Sequence, residues 1–303
     1  MNEGQVVPCA LCGATDTVRL YTKWKWGIER CRRCGLVYAN PRAPESKILG
    51  RYSSEYFWNE YLPAAGAAGG NIDYVFIDDR HKMMLDLIRQ HAPEGTRFLE
   101  VGCGAGLLLK AAQRAGWTTA GIELSPDAAS FARERLGLDV RQERAEEMSF
   151  PPGSFDVAVM SEVIEHLFQP RTVVRALRAA LKPGGILLIT TPNFEAISRH
   201  VHGVNWEVLS PLEHTYYFTA RTLSRLLGEN GFEVIETNPV LPILLDYVSN
   251  PQGTHAPDSW RARLWKRVLA KNEGLRYHFG FDLGQWLQAH GYADTLTVFA
   301  AAR

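Results

Sequence analysis

The sequence predicts an α/β fold in which a mainly parallel β-sheet is covered by helices on both faces. Short apolar runs typical of buried strands alternate with amphipathic helical patterns from residue 73 to residue 191. A glycine-rich turn at 102–106 joins the first buried strand to the helix that follows it. With 303 residues, of which 46% are hydrophobic, the chain is long enough for one large domain and a small one.

The individual elements are expected in a regular order. A helix over 73–90 ends at Pro93-Glu94-Gly95, and a buried strand over 97–101 follows. The remaining expected elements are strand 117–122, helix 126–136, strand 138–141, strand 155–160, helix 171–181, strand 186–191, helix 220–230, strand 232–237 and strand 295–301. The aromatic-rich segment at about 240–292 predicts a helical insertion before the last strand, either a cap with its own small core or a lid or homodimer surface.

Four cysteines in the first 34 residues follow the pattern C-x2-C-x18-C-x2-C, which is the spacing of a zinc ribbon. The predicted ligands are Cys9, Cys12, Cys31 and Cys34. Four thiolates leave no open coordination position, so the expected Zn²⁺ is structural, and it would contribute about 10–16 kcal/mol to a module with little apolar mass. A redox pair and a chance arrangement are the alternatives.

The predicted domain division is a zinc ribbon and aromatic-rich connector over 1–62, a flexible linker over 63–71, and the main domain over 72–303. Lysine plus arginine and aspartate plus glutamate both number 33, so a global positive field is absent and nucleic acid is disfavoured as the main partner. The sequence contains no apolar run of about 20 residues and no signal-peptide pattern, which predicts a cytoplasmic protein without a membrane segment.

The glycine-rich turn follows a strand that ends in Glu100-Val101, and a helical segment starts after it. Such a turn lets a ligand lie against bare backbone at the carboxyl end of a sheet. Its third glycine comes one residue too early for the dinucleotide-binding fingerprint. The next strand ends in Glu123, where a carboxylate can accept hydrogen bonds from both hydroxyls of a ribose.

Five ordered motifs within about 75–237 closely resemble those of class I S-adenosylmethionine-dependent methyltransferases. They are E-x-G-C-G-x-G at 100–106, the acidic strand end at 123, R-A-E-E-M-S-F-P at 144–151, S-F-D-V at 154–157 and L-K-P-G-G at 181–185. The resemblance implies a doubly wound, seven-stranded Rossmann-like sheet and S-adenosylmethionine as cofactor. The ribbon, with C-G-L-V-Y-A-N-P-R at 34–42, and the segment 192–219 resemble one bacterial branch, often associated with glycan or natural-product biosynthesis.

The resemblance also implies which residues bind the cofactor. They are Gly102, Gly104 and Gly106 along the methionine part, in a loop led by Glu100 that includes the small residue Cys103; Glu123 on the ribose; Leu124 on the adenine; Ala145 and Glu146 at the adenine edge; and Met160 and Ser161 near the methionine. Similar proteins usually have aspartate where Arg144 stands, so adenine recognition is expected to fall to backbone groups or Glu146.

The acceptor is expected beyond the fourth strand, at S-E-V-I-E-H-L over 161–167. This E-x-x-E-H pattern is similar to that of ubiquinone-biosynthesis O-methyltransferases, where it is associated with a divalent metal and with phenol activation. If the segment is helical, Glu162, Glu165 and His166 share a face. His166 is then a candidate general base, a brace for the cofactor loop, or part of a Mg²⁺ site. His214 is the second candidate base, with a structural histidine as its alternative.

The leading functional hypothesis is methyl transfer, specifically O-methylation, to a small-molecule acceptor such as a sugar, sugar nucleotide or secondary metabolite. The alternative is an rRNA base methyltransferase whose zinc ribbon docks RNA, with Lys23, Trp24, Lys25, Trp26, Arg32 and Arg33 as contacts. A third hypothesis is a binding protein with an inactive catalytic fold, against which the intact glycine loop and Glu123 argue.

Overall fold

The computed structural model describes residues 4–50, 53–65, 67, 70–238, 286–287 and 290–303. The N-terminal part contains strands β1 (Thr17–Lys23), β2 (Trp26–Cys31) and β3 (Val37–Ala39), which form an antiparallel meander. The four predicted ligand cysteines lie at one end of the meander: Cys9 and Cys12 in the turn before β1, Cys31 as the last residue of β2 and Cys34 in the turn that follows. The hairpin expected between the two cysteine pairs is therefore present.

A short helical connector leads from the meander to the main domain. It consists of α1 (Glu45–Leu49), then α2 (Ser54–Tyr56), a π-helical turn (Phe57–Tyr61) and α3 (Leu62–Ala64) in direct succession. Ser53 caps α2 by accepting a hydrogen bond from the Tyr56 amide. Of the described part of the expected linker, Ala67 is fully buried, and the domain boundaries stay a prediction.

The main domain alternates helices and strands. Its elements are α4 (Tyr74–His91), β4 (Arg97–Val101), α5 (Leu107–Arg114), β5 (Thr118–Glu123), α6 (Pro126–Leu136), β6 (Val140–Gln142), β7 (Phe155–Ser161), α7 (Pro170–Ala180), β8 (Leu181–Pro192), α8 (Ile197–His202), β9 (Tyr216–Tyr217), α9 (Ala220–Gly228), β10 (Phe232–Thr237) and β11 (Thr295–Ala302).

Seven of these strands form one sheet in the order β10-β11-β8-β7-β4-β5-β6. Only β11 runs antiparallel, to β8 on one side and β10 on the other, and the remaining pairs are parallel. The predicted doubly wound, seven-stranded sheet is confirmed. Because the chain leaves β4 toward β5 on one side and returns to β7 on the other, a crevice opens at the carboxyl ends of β4 and β7, where ligands bind in such sheets.

The helices start and end where local chemistry requires it. Ser125 caps α6, with Pro126 in the first turn, and Gly137 ends it in the left-handed conformation at φ 65°. Helix α7 buries Val173, Val174 and Leu177 on one face, as the 3.6-residue period of its apolar residues predicts. These helices cover the two faces of the sheet and leave the carboxyl strand ends open.

The short strand β9 does not belong to the seven-stranded sheet. It pairs antiparallel with β3, so the N-terminal sheet has the order β1-β2-β3-β9 and includes residues from the main domain. This pairing was not among the elements expected from the sequence. The expected helical insertion at about 240–292 lies mostly outside the described residues, and none of the helices within them is long and apolar enough to cross a membrane.

Candidate functional site

A cavity of about 700 Å³ lies at the carboxyl ends of β4, β5 and β7. Its walls come from the glycine loop, the strand ends, the helical connector and the segments around residues 166 and 213. All the predicted cofactor residues line it except Gly106 and Met160, and Met160 is fully buried behind the wall. The predicted bases His166 and His214 line the same cavity, so the fold brings the two predicted sites together.

The glycine loop adopts the left-handed conformation at Gly104, where φ is 54°. A Cβ atom at this position would stand 2.0 Å from the Tyr61 hydroxyl oxygen, so the space as well as the backbone requires glycine. Cys103 is buried beside it, and burial raises the pKa of its thiol well above the ordinary value. A protonated, buried thiol is a poor nucleophile, which favours the interpretation of Cys103 as a small packing residue.

Two carboxyl groups face the loop and fit a nucleoside cofactor with an amino group. Glu123 accepts hydrogen bonds from the Gly104 amide at 2.8 Å and from the Ser125 amide at 2.7 Å, one on each oxygen. Each oxygen keeps a lone pair for a ribose hydroxyl. Glu100 is 5% exposed, and its Oε2 atom has no hydrogen-bond partner among the described residues, as an ammonium ligand would require.

The connector supplies aromatic residues that the sequence analysis did not assign to the site. Tyr56, Phe57 and Tyr61 line the cavity, and Tyr61 stacks on Phe57 with ring centroids 5.8 Å apart. The Ala105 amide donates a hydrogen bond to the Tyr61 hydroxyl at 3.4 Å, which joins the connector to the glycine loop. The aromatic enrichment at 52–61 was the sequence signal that could have pointed to these residues. The contact between Tyr61 and Gly104 joins segments far apart in the chain, so it could not be predicted from local sequence.

Arg144 and Glu146 line the side of the cavity where the adenine is expected, and both side chains bond to neighbouring segments. Glu146 accepts a hydrogen bond from the Phe168 amide at 2.9 Å, so this carboxylate supports the chain that enters α7. Arg144 forms an ion pair with Glu45 in the connector. The arginine that replaces the usual aspartate therefore ties α1 to this wall, next to the lining residues Leu124 and Ala145.

The segment after β7 forms a turn. The helix that would have placed Glu162, Glu165 and His166 on one face is absent from this described segment, so that prediction was wrong. Glu162 has a left-handed φ of 55°, which is incompatible with a helix at this point. The Ser161 hydroxyl lies 3.0 Å from the Thr190 hydroxyl, and the Glu162 amide donates to the Thr190 carbonyl at 2.9 Å. Glu162 lines the cavity, whereas Glu165 is buried behind it.

His166 and His214 form an edge-to-face pair with ring centroids 4.7 Å apart. The Nδ1 atom of His166 lies 3.0 Å from the Glu213 carbonyl oxygen, and that of His214 lies 2.8 Å from the Val208 carbonyl oxygen. A carbonyl oxygen only accepts, so each Nδ1 carries the proton and each neutral ring keeps its Nε2 lone pair. Both histidines are thus held in the tautomer that can accept a proton at Nε2.

Burial favours the neutral form of all four ionisable groups in this cluster. It raises the pKa of Glu162 to about 8, with a contribution from Glu165, and that of Glu165 to about 7. It lowers the pKa of His166 and lowers that of His214 to about 3, with a contribution from His166. A base works best when its pKa lies near the working pH, so the large shift of His214 makes His166 the better candidate base.

Replacing Glu165 by glutamine should remove a pH dependence of folding stability. The carboxyl group keeps its proton in the folded chain up to a pKa of about 7, against an ordinary value of 4.5, so its ionisation costs stability as the pH rises between these values. We expect the free energy of unfolding of the wild type relative to Glu165→Gln, measured by denaturant titration, to fall through this window and to level off above it. The exposed Glu94→Gln is the matched control, and a flat difference would contradict the burial argument.

The magnesium prediction gains no support from this cluster. One ligand atom each from Glu165, His166 and His214 lie within 4.8 Å of one another, whereas the predicted set was Glu162, Glu165 and His166. Imidazole nitrogens suit transition metals, and Mg²⁺ prefers oxygen ligands with several waters. The pair of histidines is better suited to proton transfer than to holding Mg²⁺.

The four N-terminal cysteines fit a tetrahedral zinc ion. The Sγ atoms of Cys9 and Cys34 are 3.4 Å apart, those of Cys12 and Cys31 are 3.5 Å apart, and all four lie within 4.8 Å of one another. Zn–S bonds of about 2.3 Å require sulfur atoms about 3.8 Å apart. All four thiols are free, and their geometry suits a metal.

A family model described as a methyltransferase domain matches residues 73–237. The chain is 38% identical over 105 residues to a ubiquinone biosynthesis O-methyltransferase from Xanthomonas campestris, a match that covers 33% of the chain and 44% of that relative. A protein of the same name from Thiobacillus denitrificans is 32% identical over 179 residues, covering 55% of the chain and 77% of the relative. The chain thus spans less than half the length of the first of these relatives.

The fold is shared with solved structures, among them the following two. A chain from the complex of the Haloferax volcanii Trm112 methyltransferase activator with a methyltransferase has a TM-score of 0.53 at 19% identity, covering 81% of this chain and 97% of that one. An S-adenosylmethionine-dependent methyltransferase from Archaeoglobus fulgidus has a TM-score of 0.53 at 16% identity, covering 80% of this chain and 100% of that one. At these identities the likeness shows the fold alone.

Proposed function

The chain belongs to the methyltransferase-domain family, and on that premise we propose that it transfers the methyl group of S-adenosylmethionine to a hydroxyl group of a small molecule. The observation that carries the proposal is the position of His166. Its neutral ring keeps the Nε2 lone pair, which lies 3.8 Å from the Oε1 atom of the buried Glu165 carboxyl, and the ring lines the cavity that also contains the glycine loop and Glu123. The candidate proton acceptor and the predicted cofactor groups therefore share one cavity.

The cofactor, when bound, supplies an electrophilic methyl group on a sulfonium. Glu123 would hold its ribose hydroxyls, Glu100 would accept from its ammonium group, and Leu124 would pack on the adenine. His166 would accept the proton of the acceptor hydroxyl at Nε2 as the oxygen–methyl bond forms and the sulfur–methyl bond breaks. The cavity walls would hold the acceptor in line and exclude water, and alignment of this kind is worth about 7–11 kcal/mol.

The charge of the cavity wall supports a small acceptor without phosphate groups near the reacting oxygen. Among the described lining residues, Arg144 is the one lysine or arginine, and it is paired with Glu45. Six glutamates line the same wall, at positions 100, 123, 143, 146, 162 and 213. A described wall with a single, already paired cation offers little attraction to a phosphate group, which argues against RNA and, within the small molecules, favours sugars or secondary metabolites over sugar nucleotides.

We also propose that the four cysteines bind a structural Zn²⁺. The support is the distance set of the sulfurs and the two turns in which the Gly13 amide donates to the Cys9 carbonyl at 2.8 Å and the Gly35 amide donates to the Cys31 carbonyl at 2.9 Å. Both glycines have left-handed φ values, 71° and 84°, which these turns require.

Methyl transfer assayed with a panel of hydroxylated metabolites beside total RNA tests the proposal. We expect radiolabelled methyl to enter a small molecule and to become base-stable, as an ether is, while RNA stays unlabelled. Calorimetry with S-adenosylhomocysteine in the same samples checks the cofactor site separately. Labelling of RNA with strong salt sensitivity would overturn the acceptor assignment, and failure to bind the cofactor product would overturn the enzymatic one.

A further inference from the structure

The zinc-ribbon sheet is joined to the acceptor side of the cavity by backbone hydrogen bonds. Strand β3 pairs with β9 in the register Val37 with Tyr217 and Tyr38 with Tyr216. The Ala39 amide extends this pairing by donating to the Thr215 carbonyl at 2.9 Å. The residue immediately before this segment is His214, so the ribbon contacts the chain directly beside one of the two cavity histidines.

The other side of the same segment is bonded to the turn that carries His166. The amides of Thr215 and Tyr216 donate to the Glu165 carbonyl at 2.8 and 3.1 Å. The Thr215 hydroxyl lies 3.0 Å from that carbonyl and donates to the Leu167 carbonyl at 2.7 Å. Residues 215–216 are therefore held between the ribbon strand and the two residues that flank His166.

Side chains make the same connection. Tyr38 is fully buried and belongs to one apolar cluster with Cys9, Cys31 and Tyr216, and its ring centroid is 6.4 Å from that of Tyr216. The Arg42 guanidinium lies 4.9 Å from the centroid of the Tyr216 ring and donates to the Phe168 carbonyl at 3.3 Å. The ribbon thus contacts the acceptor side through packing as well as through its backbone.

We propose that the zinc ribbon is a positioning element for the acceptor half of the site, in which Tyr38 and Ala39 hold residues 215–216 and, through them, the His166–His214 pair. The effect of the ribbon on catalysis rests on the proposed function. The mechanical coupling between the ribbon and residues 215–216 does not. Zinc coordination would orient β2 and β3 because Cys31 is the last residue of β2. Its amide also donates a hydrogen bond to the carbonyl of Leu36, the residue before β3.

Hydrogen–deuterium exchange of the zinc-loaded full chain, before and after chelation, tests the coupling without an acceptor. We expect exchange to rise at least about tenfold at Ala39 and also at Thr215 and Tyr216, which corresponds to about 1.4 kcal/mol of lost local stability. Amides of β4 should keep their protection. Faster exchange at Ala39 with unchanged exchange at 215–216 would overturn the proposal.

Tyr38→Ala separates loss of positioning from loss of folding, because the four zinc ligands remain. With zinc content verified, we expect faster exchange at 215–216, a fall in acceptor turnover of at least about tenfold, and unchanged affinity for S-adenosylhomocysteine. Trp24→Ala, at the 56% exposed tip of the β1–β2 hairpin, is the matched control. If chelation unfolds the whole chain, the Tyr38→Ala variant is the deciding test. Unchanged hydrogen exchange at residues 215–216 in that variant would overturn the proposal. A chain that transfers no methyl group but shows the coupled exchange contradicts the proposed function alone.

Discussion

Alanine in place of His166 should lower kcat for the acceptor by about 10²–10⁴-fold, the range that a general base usually contributes. Its ring lines the cavity, and its Nε2 atom, 3.8 Å from the Glu165 carboxyl, carries the lone pair because Nδ1 donates to the Glu213 carbonyl. Affinity for S-adenosylhomocysteine should stay within about twofold, because the predicted ribose and ammonium contacts lie on other residues. Steady-state kinetics and calorimetry measure the two effects separately.

The controls distinguish base catalysis from bracing of the loop. His200→Ala removes an exposed imidazole on α8 that is not among the described cavity-lining residues, and turnover should be unchanged. Free imidazole should restore part of the activity of His166→Ala, with a pH dependence that follows the added base. If turnover of His166→Ala is unchanged, His166 has no part in the mechanism; if cofactor affinity falls along with turnover, the bracing role is supported.

Alanine in place of Gly104 should weaken cofactor binding by at least about tenfold, or about 1.4 kcal/mol. The left-handed conformation alone costs a non-glycine residue about 1–2 kcal/mol. The new Cβ would also stand 2.0 Å from the Tyr61 hydroxyl oxygen and 2.6 Å from the Tyr61 ring carbon that carries it. The loop or the connector must therefore move, and the Gly104 amide would lose its contact with Glu123. Calorimetry with S-adenosylhomocysteine measures the change.

Gly137→Ala provides the matched control for backbone strain. Gly137 has a similar φ of 65°, and a Cβ there would meet no described atom within 4 Å. This variant should lose stability in denaturant titrations and keep its cofactor affinity. Adding Tyr61→Ala to Gly104→Ala should recover part of the lost binding, because the clash is removed while the strain stays. Additive losses in the double variant would show that the contact with Tyr61 is irrelevant.

The parts of the site that follow one another closely in the chain could be predicted from the sequence. The turn after β4 and the carboxylate at the end of β5 are specified by residues 100–106 and 123, because adjacent parallel strands place their carboxyl ends side by side. The cysteine pairs could be predicted in the same way. Each pair closes a turn of four residues, so the spacing alone predicts that both sulfurs bind one metal ion. The mainly parallel sheet was predicted from the alternation of strands and helices, its seven strands were implied by the family resemblance, and both are confirmed.

Contacts between distant segments could not be predicted in this way. The helical pattern proposed for 162–166 fails because Glu162 adopts the left-handed conformation and the segment turns. The packing of the connector over the glycine loop places the Tyr61 hydroxyl beside Gly104. The same packing leaves the Glu100 Oε2 atom without a hydrogen-bond partner among the described residues. Both histidines could be proposed separately as bases from the sequence, but the distance between their rings could not be predicted.

Short-range spacing and the order of strands and helices are enough to predict the mainly parallel sheet, the cofactor loop and the cysteine cluster. The packing of the His166 ring on the His214 ring and the pairing of β3 with β9 beside them become visible in the folded chain. These contacts are set by burial and packing between distant segments. The segments concerned lie some 50 to 180 residues apart in the chain, and their meeting depends on the apolar surface that the whole fold removes from water.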